Sequence, residues 1–143
     1  MIVSFSAKDH TRRVMDIWLE SSRVAHDFIP MEYWLSTAPL VEREILPKAQ
    51  TRVFLREGQV EGFLSLIEGD HIGALFVAPE CQGQGIGGAL MEDCKAERKL
   101  LTLAVYKKNC RAVGFYRSRG FTILEERVQE ETGEEEYLMA WRG

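Results

Sequence analysis

Four glycines fall within residues 83–88, and this cluster limits what the chain can fold into. An extended apolar run, residues 75–77, comes before it, and a helical pattern over about 85–95 overlaps its end. Glycine gives a backbone access to left-handed angles and lets a ligand approach closely. A helix start offers unpaired N–H groups and the positive end of the helix dipole, which suit a phosphate or pyrophosphate. We therefore predict a strand, a turn and a helix that bind such a group; the alternative is a tight turn without a ligand.

Short extended runs alternate with helical patterns along the rest of the chain, which is typical of an α/β or α+β fold. Three of the runs are joined by tight turns and indicate an antiparallel meander. The helix after the glycines is a crossover, so the strand that follows it should lie parallel to its neighbour. We predict a single domain, residues 1–143, with a mixed central sheet of about six to seven strands and helices on both faces. The predicted strands are 2–5, 51–56, 60–67, 72–77, 100–105, 121–129 and 137–141, and the later helices are 85–95 and 110–118.

Charge and cysteine content narrow the class of protein. The formal net charge is −4, and a mildly acidic chain is a poor match for a protein that neutralises nucleic-acid phosphates. Three cysteines without close pairing argue against a disulfide framework and for a reducing compartment. The sequence has no signal-peptide pattern, no run as long as a membrane span and no metal-ligand spacing. We expect a cytoplasmic protein with no membrane or nucleic-acid partner and no metal; the oligomeric state, including a homodimer, stays open.

The spacing Gly83-x-Gly85-x-x-Gly88 also matches the fingerprint of a dinucleotide-binding turn. Such a unit runs from its strand almost directly into the first glycine, whereas residues 78–82 intervene here. An acidic residue for the ribose is expected about twenty positions later, but residues 104–108 contain none. The two lysines in that stretch would instead suit a 2′-phosphate. An NADP-dependent reductase therefore stays as an alternative enzyme.

Two blocks of the sequence resemble one protein family. Residues 82–87, Gln-Gly-Gln-Gly-Ile-Gly, are similar to Gln/Arg-x-x-Gly-x-Gly/Ala, the pyrophosphate loop of the GCN5-related N-acetyltransferase (GNAT) family. Downstream, Asn109 is a favoured helix cap, and Phe115 and Tyr116 follow on the helix. This second stretch resembles the family's second conserved block, in the family's order and at its spacing. Together the two blocks cover residues 71–122.

The resemblance implies a GNAT-like sheet that transfers an acetyl group from acetyl-CoA to a primary amine by direct attack in a ternary complex. The amine would be a lysine side chain, a peptide N-terminus or a small amine, and residues 18–21 and 26–29 weakly resemble bacterial protein and peptide N-acetyltransferases. Val77 would polarise the thioester carbonyl through its N–H, and Tyr116 would protonate the departing thiolate as the general acid. Asn109 would contact the pantetheine arm or order a water. The residues assigned in this way to the cofactor are Phe76, Val77, Gln82, Gly83, Gln84, Gly85, Ile86, Gly87, Gly88 and Asn109.

The resemblance does not identify the residue that acts as the general base. Many relatives carry a Glu in the strand before the Asn motif, and Ala104 stands there in this chain. An acceptor amine must lose a proton before it attacks, so another group has to take the proton. Glu68, His71 or a water chain would serve, and we predict Glu68, which lies near the start of the ligand strand. A non-catalytic acyl-CoA sensor is the alternative if no base is present.

The acceptor side should come from the first two helices and the terminal hairpin, because the cofactor motifs occupy the middle of the chain. We predict His26 and Phe28 as substrate residues. The terminal turn carries five glutamates within residues 130–136. Such a run usually forms a solvated surface. If it borders the acceptor site, it would instead favour a cationic amine as the acceptor.

Overall fold

Seven strands form one mixed sheet with helices on both faces in the computed structural model, which describes all 143 residues. This confirms the predicted fold class. A π-helical turn (Val41–Ile45) and a 3₁₀ turn (Leu46–Lys48) follow α2, and a second 3₁₀ turn (Pro79–Cys81) precedes the glycines. None of the helices combines the length and the apolar composition that a membrane-spanning helix needs. The elements are β1 (Ile2–Ser4), α1 (Ala7–Ala25), α2 (Met31–Leu40), β2 (Gln50–Arg56), β3 (Gln59–Ile67), β4 (His71–Val77), α3 (Ile86–Lys95), β5 (Leu100–Tyr106), α4 (Cys110–Ser118), β6 (Thr122–Val128) and β7 (Glu135–Arg142).

The strand order is β1-β2-β3-β4-β5-β7-β6. The strands β2, β3 and β4 form the predicted antiparallel meander, and β1 adds to it by antiparallel pairing with β2. The strand β5 lies parallel to β4 because α3 carries the chain back across the sheet. The last two strands form the predicted hairpin. Its second strand, β7, inserts between β5 and β6, so β6 becomes the edge of the sheet.

Different helices pack on the two faces of the sheet at β3. Successive side chains of a strand point to opposite faces, and Phe63 lies with α1 residues such as Val14 around a small cavity on one face. On the other face α3 approaches closely, since a Cβ on Gly62 would lie 3.0 Å from Ile86 and 3.3 Å from Leu90. A glycine is therefore required where α3 packs on the sheet. The helix pair α1 and α2 covers one face of the sheet, and α3 covers the other.

The sheet opens between β4 and β5. Their pairing is confined to His71 with Thr102 and Ile72 with Leu103. A β-bulge follows at once, because Leu66 of β3 pairs with Ile72 whereas Ser65 pairs with Ala74, which leaves Gly73 as the extra residue. A bulge bends a strand and increases its twist. From Gly73 onward β4 therefore runs apart from β5 and keeps a free edge on that side.

Candidate active site

A cleft of about 1040 Å³ occupies the opening between β4 and β5. Its lining includes His26 and Trp34 from the α1–α2 face and Gly87 and Tyr116 from the α3–α4 face. The cleft therefore joins the two faces of the sheet. A ligand bound at the glycine-rich turn can reach through it towards a second molecule that enters from the α1–α2 side.

The glycine-rich turn has the conformation that its sequence predicts. Gly83 and Gly85 take left-handed φ angles of 82° and 80°, and Gly85 is the N-cap of α3. No backbone hydrogen bond of the turn uses an N–H from residues 83–88, while the N–H of Ala89 donates to the carbonyl of Gly85 at 3.0 Å. Six successive N–H groups at the positive end of a helix thus remain for a ligand, which suits a phosphate group.

Arginines surround this turn. Arg111 Nη1 donates to Gln82 Oε1 at 2.9 Å, and Arg56 Nη1 donates to Gln84 Oε1 at 2.6 Å. The guanidinium of Arg119 takes the place of a side chain at Gly88, because a Cβ there would lie 2.9 Å from Arg119 Cζ. Arg111 and Arg119 line the cleft, whereas the Gln84 side chain does not. The predicted anion site therefore gains two cations that the sequence motif did not indicate.

The free edge of β4 presents two N–H groups to the cleft. Ala78 donates its N–H to the carbonyl of Glu61 on β3 at 2.8 Å. Because donors alternate along an antiparallel strand, Phe76 also turns its N–H to β3, whereas Leu75 and Val77 turn theirs to the open side. The predicted donor Val77 is thus available, Phe76 contributes its ring, and Leu75 is a second donor that strand alternation could have identified.

Asn109 orients a buried histidine. Its Oδ1 accepts from the N–H of Ala112 at 3.2 Å as the cap of α4, which leaves Nδ2 to donate to His26 Nε2 at 3.0 Å. His26 therefore carries its own proton on Nδ1. Burial lowers the pKa of His26 to about 4, so the ring is neutral near pH 7. Both polar groups of Asn109 are engaged within the chain, although the sequence assigned the residue to the cofactor.

The predicted substrate residue His26 lies in the cleft lining, and Phe28 does not. The His26 ring centroid lies 4.8 Å from that of Tyr106 and 5.5 Å from that of Trp34, and Phe28 packs behind it at 5.9 Å. Three buried polar atoms in this wall lack a hydrogen-bond partner: Ser22 Oγ, His26 Nδ1 and Trp34 Nε1. Buried polar groups without partners are rare and destabilising. The acceptor side of the cleft is therefore apolar with a few unpaired polar groups.

Tyr116 projects from α4 into the cleft. Its ring packs edge-to-face against Phe115 at 5.5 Å and Phe121 at 5.7 Å. Burial raises the pKa of Tyr116 to about 12, because the phenolate would lose its hydration. The hydroxyl therefore keeps its proton at neutral pH, which a general acid requires.

The structure does not bring Glu68 into the cleft. Glu68 is exposed on the turn before β4 with a φ of 53°, so its assignment as the base is not supported by its position. His71 does line the cleft, and its Nδ1 lies 2.8 Å from Thr102 Oγ1. Burial lowers the pKa of His71, although the charges of Glu68 and Glu136 oppose this effect and Arg127 adds to it. His71 is thus the group that could accept a proton there.

Two glutamates of the acidic terminal turn pair with lysines. Lys107 lies 3.6 Å from Glu135, and Lys108 lies 3.1 Å from Glu134. Glu136 differs from these neighbours because it is buried, with 7% of its surface exposed, and it lines the cleft. The sequence pattern indicated an acidic turn but did not single out Glu136.

Comparisons with known proteins agree on one family. A family model described as an acetyltransferase (GNAT) domain matches residues 26–142. The peptidyl-lysine N-acetyltransferase YiaC of Escherichia coli strain K12 is 39% identical over 128 residues, which are 90% of this chain and 88% of that protein. The apo-form structure of YjaB from Escherichia coli has a TM-score of 0.86 and 31% identity, and the match covers 100% of this chain and 97% of that one. The PaiA N-acetyltransferase from Thermoplasma acidophilum, solved in complex with coenzyme A, has a TM-score of 0.82 over 100% of this chain and 98% of that one; at 18% identity this likeness concerns the fold alone.

Proposed function

The chain belongs to the GNAT family of acetyltransferases, and from that premise we propose that residues 1–143 act as one domain that acetylates the side-chain amine of lysine in a peptide or protein. The observation that carries the proposal is the cleft through the sheet, which joins the glycine-rich turn on one face to an aromatic wall with one buried carboxylate on the other. The lysine acceptor is supported by the relatives YiaC and YjaB of Escherichia coli, which are named as peptidyl-lysine N-acetyltransferases. The family match also decides against the NADP-dependent reductase.

Acetyl-CoA is the proposed acetyl donor, and the residues of the cleft fit its chemistry. Free N–H groups from residues 83–88 and the guanidinium groups of Arg111 and Arg119 suit a pyrophosphate. The free edge of β4 offers alternate N–H and C=O groups to the amides of the pantetheine arm, as in the addition of a strand to a sheet.

The N–H groups of Leu75 and Val77 are the two candidates to polarise the thioester carbonyl, since both face the opening. Such donors stabilise the negative oxygen of a tetrahedral intermediate. His71 would take a proton from the acceptor nitrogen. The neutral nitrogen then attacks the carbonyl carbon to form this intermediate, and the carbon–sulfur bond breaks as the intermediate collapses, with Tyr116 supplying the proton to the departing thiolate. The nitrogen loses its second proton as the amide forms, and transfer of that proton through water would restore the Tyr116 hydroxyl. No acyl-enzyme is required, because the cleft brings both substrates together.

The proposed cytoplasmic location draws support from the cysteines. Cys81, Cys94 and Cys110 are all free, and unpaired thiols are typical of a reducing compartment.

The first experiment combines acetyl-CoA binding by calorimetry with mass spectrometry of lysine peptides, on the wild type and Tyr116→Phe. We expect micromolar binding or tighter in both proteins and a fall of about 100-fold or more in the turnover number of the variant, because general acid catalysis contributes about 10²- to 10⁴-fold. Unchanged turnover in Tyr116→Phe would remove this residue from the mechanism. Binding without transfer to any peptide would instead favour an acyl-CoA sensor.

A further inference from the structure

Charge is distributed unevenly along the cleft. Arg111 and Arg119 line it at the end near α4 and the glycine-rich turn. Lys108 also lines it, but its ammonium pairs with Glu134 at 3.1 Å and lies 5.5 Å from the Phe28 ring. The chain contains 22 Asp and Glu residues, but Glu136 is the only one of them that lines the cleft. A single buried carboxylate therefore lies on the side of the cleft from which the acceptor would enter.

Glu136 is held in place by β6 and the following turn. Arg127 Nε donates to its Oε2 at 2.7 Å, and Gln129 Nε2 donates to its Oε1 at 3.4 Å. A carboxylate has about four lone-pair positions, so Oε1 in particular keeps capacity for another donor. The Arg127 side chain is 43% exposed, so solvent screens its charge more than that of Glu136.

The neighbours of Glu136 suit the rest of a lysine side chain. Glu136 pairs in register with Tyr106 of β5, and the Tyr106 ring lies 6.4 Å from that of Trp34. Aromatic faces pack against methylene groups and attract an ammonium through their ring electrons. His71 also lines the cleft, but it lies beside Thr102, four residues along β5 from Tyr106. A carboxylate and two aromatic rings thus lie together at one end of the cleft.

We propose that Glu136 is a specificity-determining residue that binds the acceptor as a cationic primary amine, before His71 removes a proton from it. The inference rests on the proposed acetyltransferase function. It adds that the acceptor side of the cleft selects a positively charged substrate. The ammonium would bind Oε1, its methylene stem would lie against Tyr106 and Trp34, and no acidic group elsewhere in the cleft could replace Glu136.

The experiment measures binding of a lysine-containing peptide to the CoA-loaded protein by calorimetry, together with its KM at saturating acetyl-CoA. Glu136→Gln should weaken the peptide Kd and raise its KM by about 10- to 100-fold, as expected for the loss of a charge-assisted contact, with CoA affinity unchanged. Glu135→Gln is the matched control, because Glu135 is the adjacent glutamate, pairs with Lys107 and lies outside the cleft lining. It should change neither constant.

Arg127→Met separates recognition from a purely structural ion pair. If Glu136 binds the amine, this variant leaves the peptide KM within about threefold of the wild type or lowers it. An increase in KM as large as that of Glu136→Gln would show that the pair only holds β6 to β7, and it would overturn the inference. So would an unchanged KM in Glu136→Gln.

A weakly basic aromatic amine, which is uncharged at neutral pH, provides the chemical control. Its KM should be insensitive to Glu136→Gln, and an equal rise for this acceptor would contradict recognition of charge. Wild-type protein that binds lysine peptide through Glu136 without acetylating it would refute the proposed function alone. Wild-type protein that acetylates the peptide with no dependence on Glu136 would refute this inference alone.

Discussion

Replacement of Gly88 by alanine tests how the anion site is built. Gly88 lies in the first turn of α3, and its missing Cβ leaves room for the Arg119 guanidinium, which also lies 5.4 Å from the Phe115 ring. A methyl at Gly88 would have to displace that guanidinium, because Cζ would be 2.9 Å away. Loss of one charge-assisted contact to phosphate corresponds to about 1.5–3 kcal/mol. We therefore expect the Kd for CoA to rise about 10- to 100-fold in Gly88→Ala.

The stability of this variant should change in a different way from its affinity. Alanine in a helix is about 1 kcal/mol more favourable than glycine, and the lost cation–π contact is worth about 0.5–1 kcal/mol. The free energy of unfolding, measured with urea, should therefore stay within about 1 kcal/mol of the wild type. A large loss of stability would show that α3 had shifted, and the affinity could then not be interpreted through Arg119.

A double-mutant cycle supplies the decisive result. Arg119→Met alone should weaken CoA binding about as much as Gly88→Ala, and the two changes together should be no worse than either one. Gly114→Ala is the control, since a Cβ there would have no atom within 4 Å and Gly114 lies outside the cleft lining. If Gly88→Ala weakens binding as much in the Arg119→Met background, the methyl obstructs the ligand directly and the reasoning from Arg119 is refuted.

Two further predictions concern the buried wall of the cleft. The folded-state pKa of His26 is about 4, below the unfolded value of about 6.5. Between these two pH values the unfolded state binds more protons than the folded state. The free energy of unfolding therefore decreases as the pH falls from 6.5 to 4, by up to about 3 kcal/mol. Urea unfolding at pH 7 and pH 4.5 should show a smaller loss in His26→Gln than in the wild type, and an equal loss would remove His26 as the cause. Ser22→Ala should raise the free energy of unfolding by about 1 kcal/mol, because it deletes a buried hydroxyl without a partner; thermal unfolding that shows destabilisation would mean that the hydroxyl is hydrogen-bonded.

The sequence by itself determined the local parts of the site. Left-handed angles at Gly83 and Gly85 follow from the absence of a Cβ, and the cap at Asn109 follows from a side chain that reaches the N–H of Ala112. Alternation of apolar residues determined the meander, and the crossover helix determined the parallel neighbour of β4. These features depend on contacts within a few residues, which a pattern in one sequence can show.

Only the tertiary structure decided which side chains meet. The bulge at Gly73 separates β4 from β5, and the insertion of β7 beside β5 brings Glu136 next to Tyr106. The hydrogen bond between His26 and Asn109 spans 83 residues of sequence. Glu68 and Glu136 are both glutamates beside a turn, yet one lies in solvent and the other in the cleft, because burial depends on long-range strand pairing that neither residue's sequence neighbours encode.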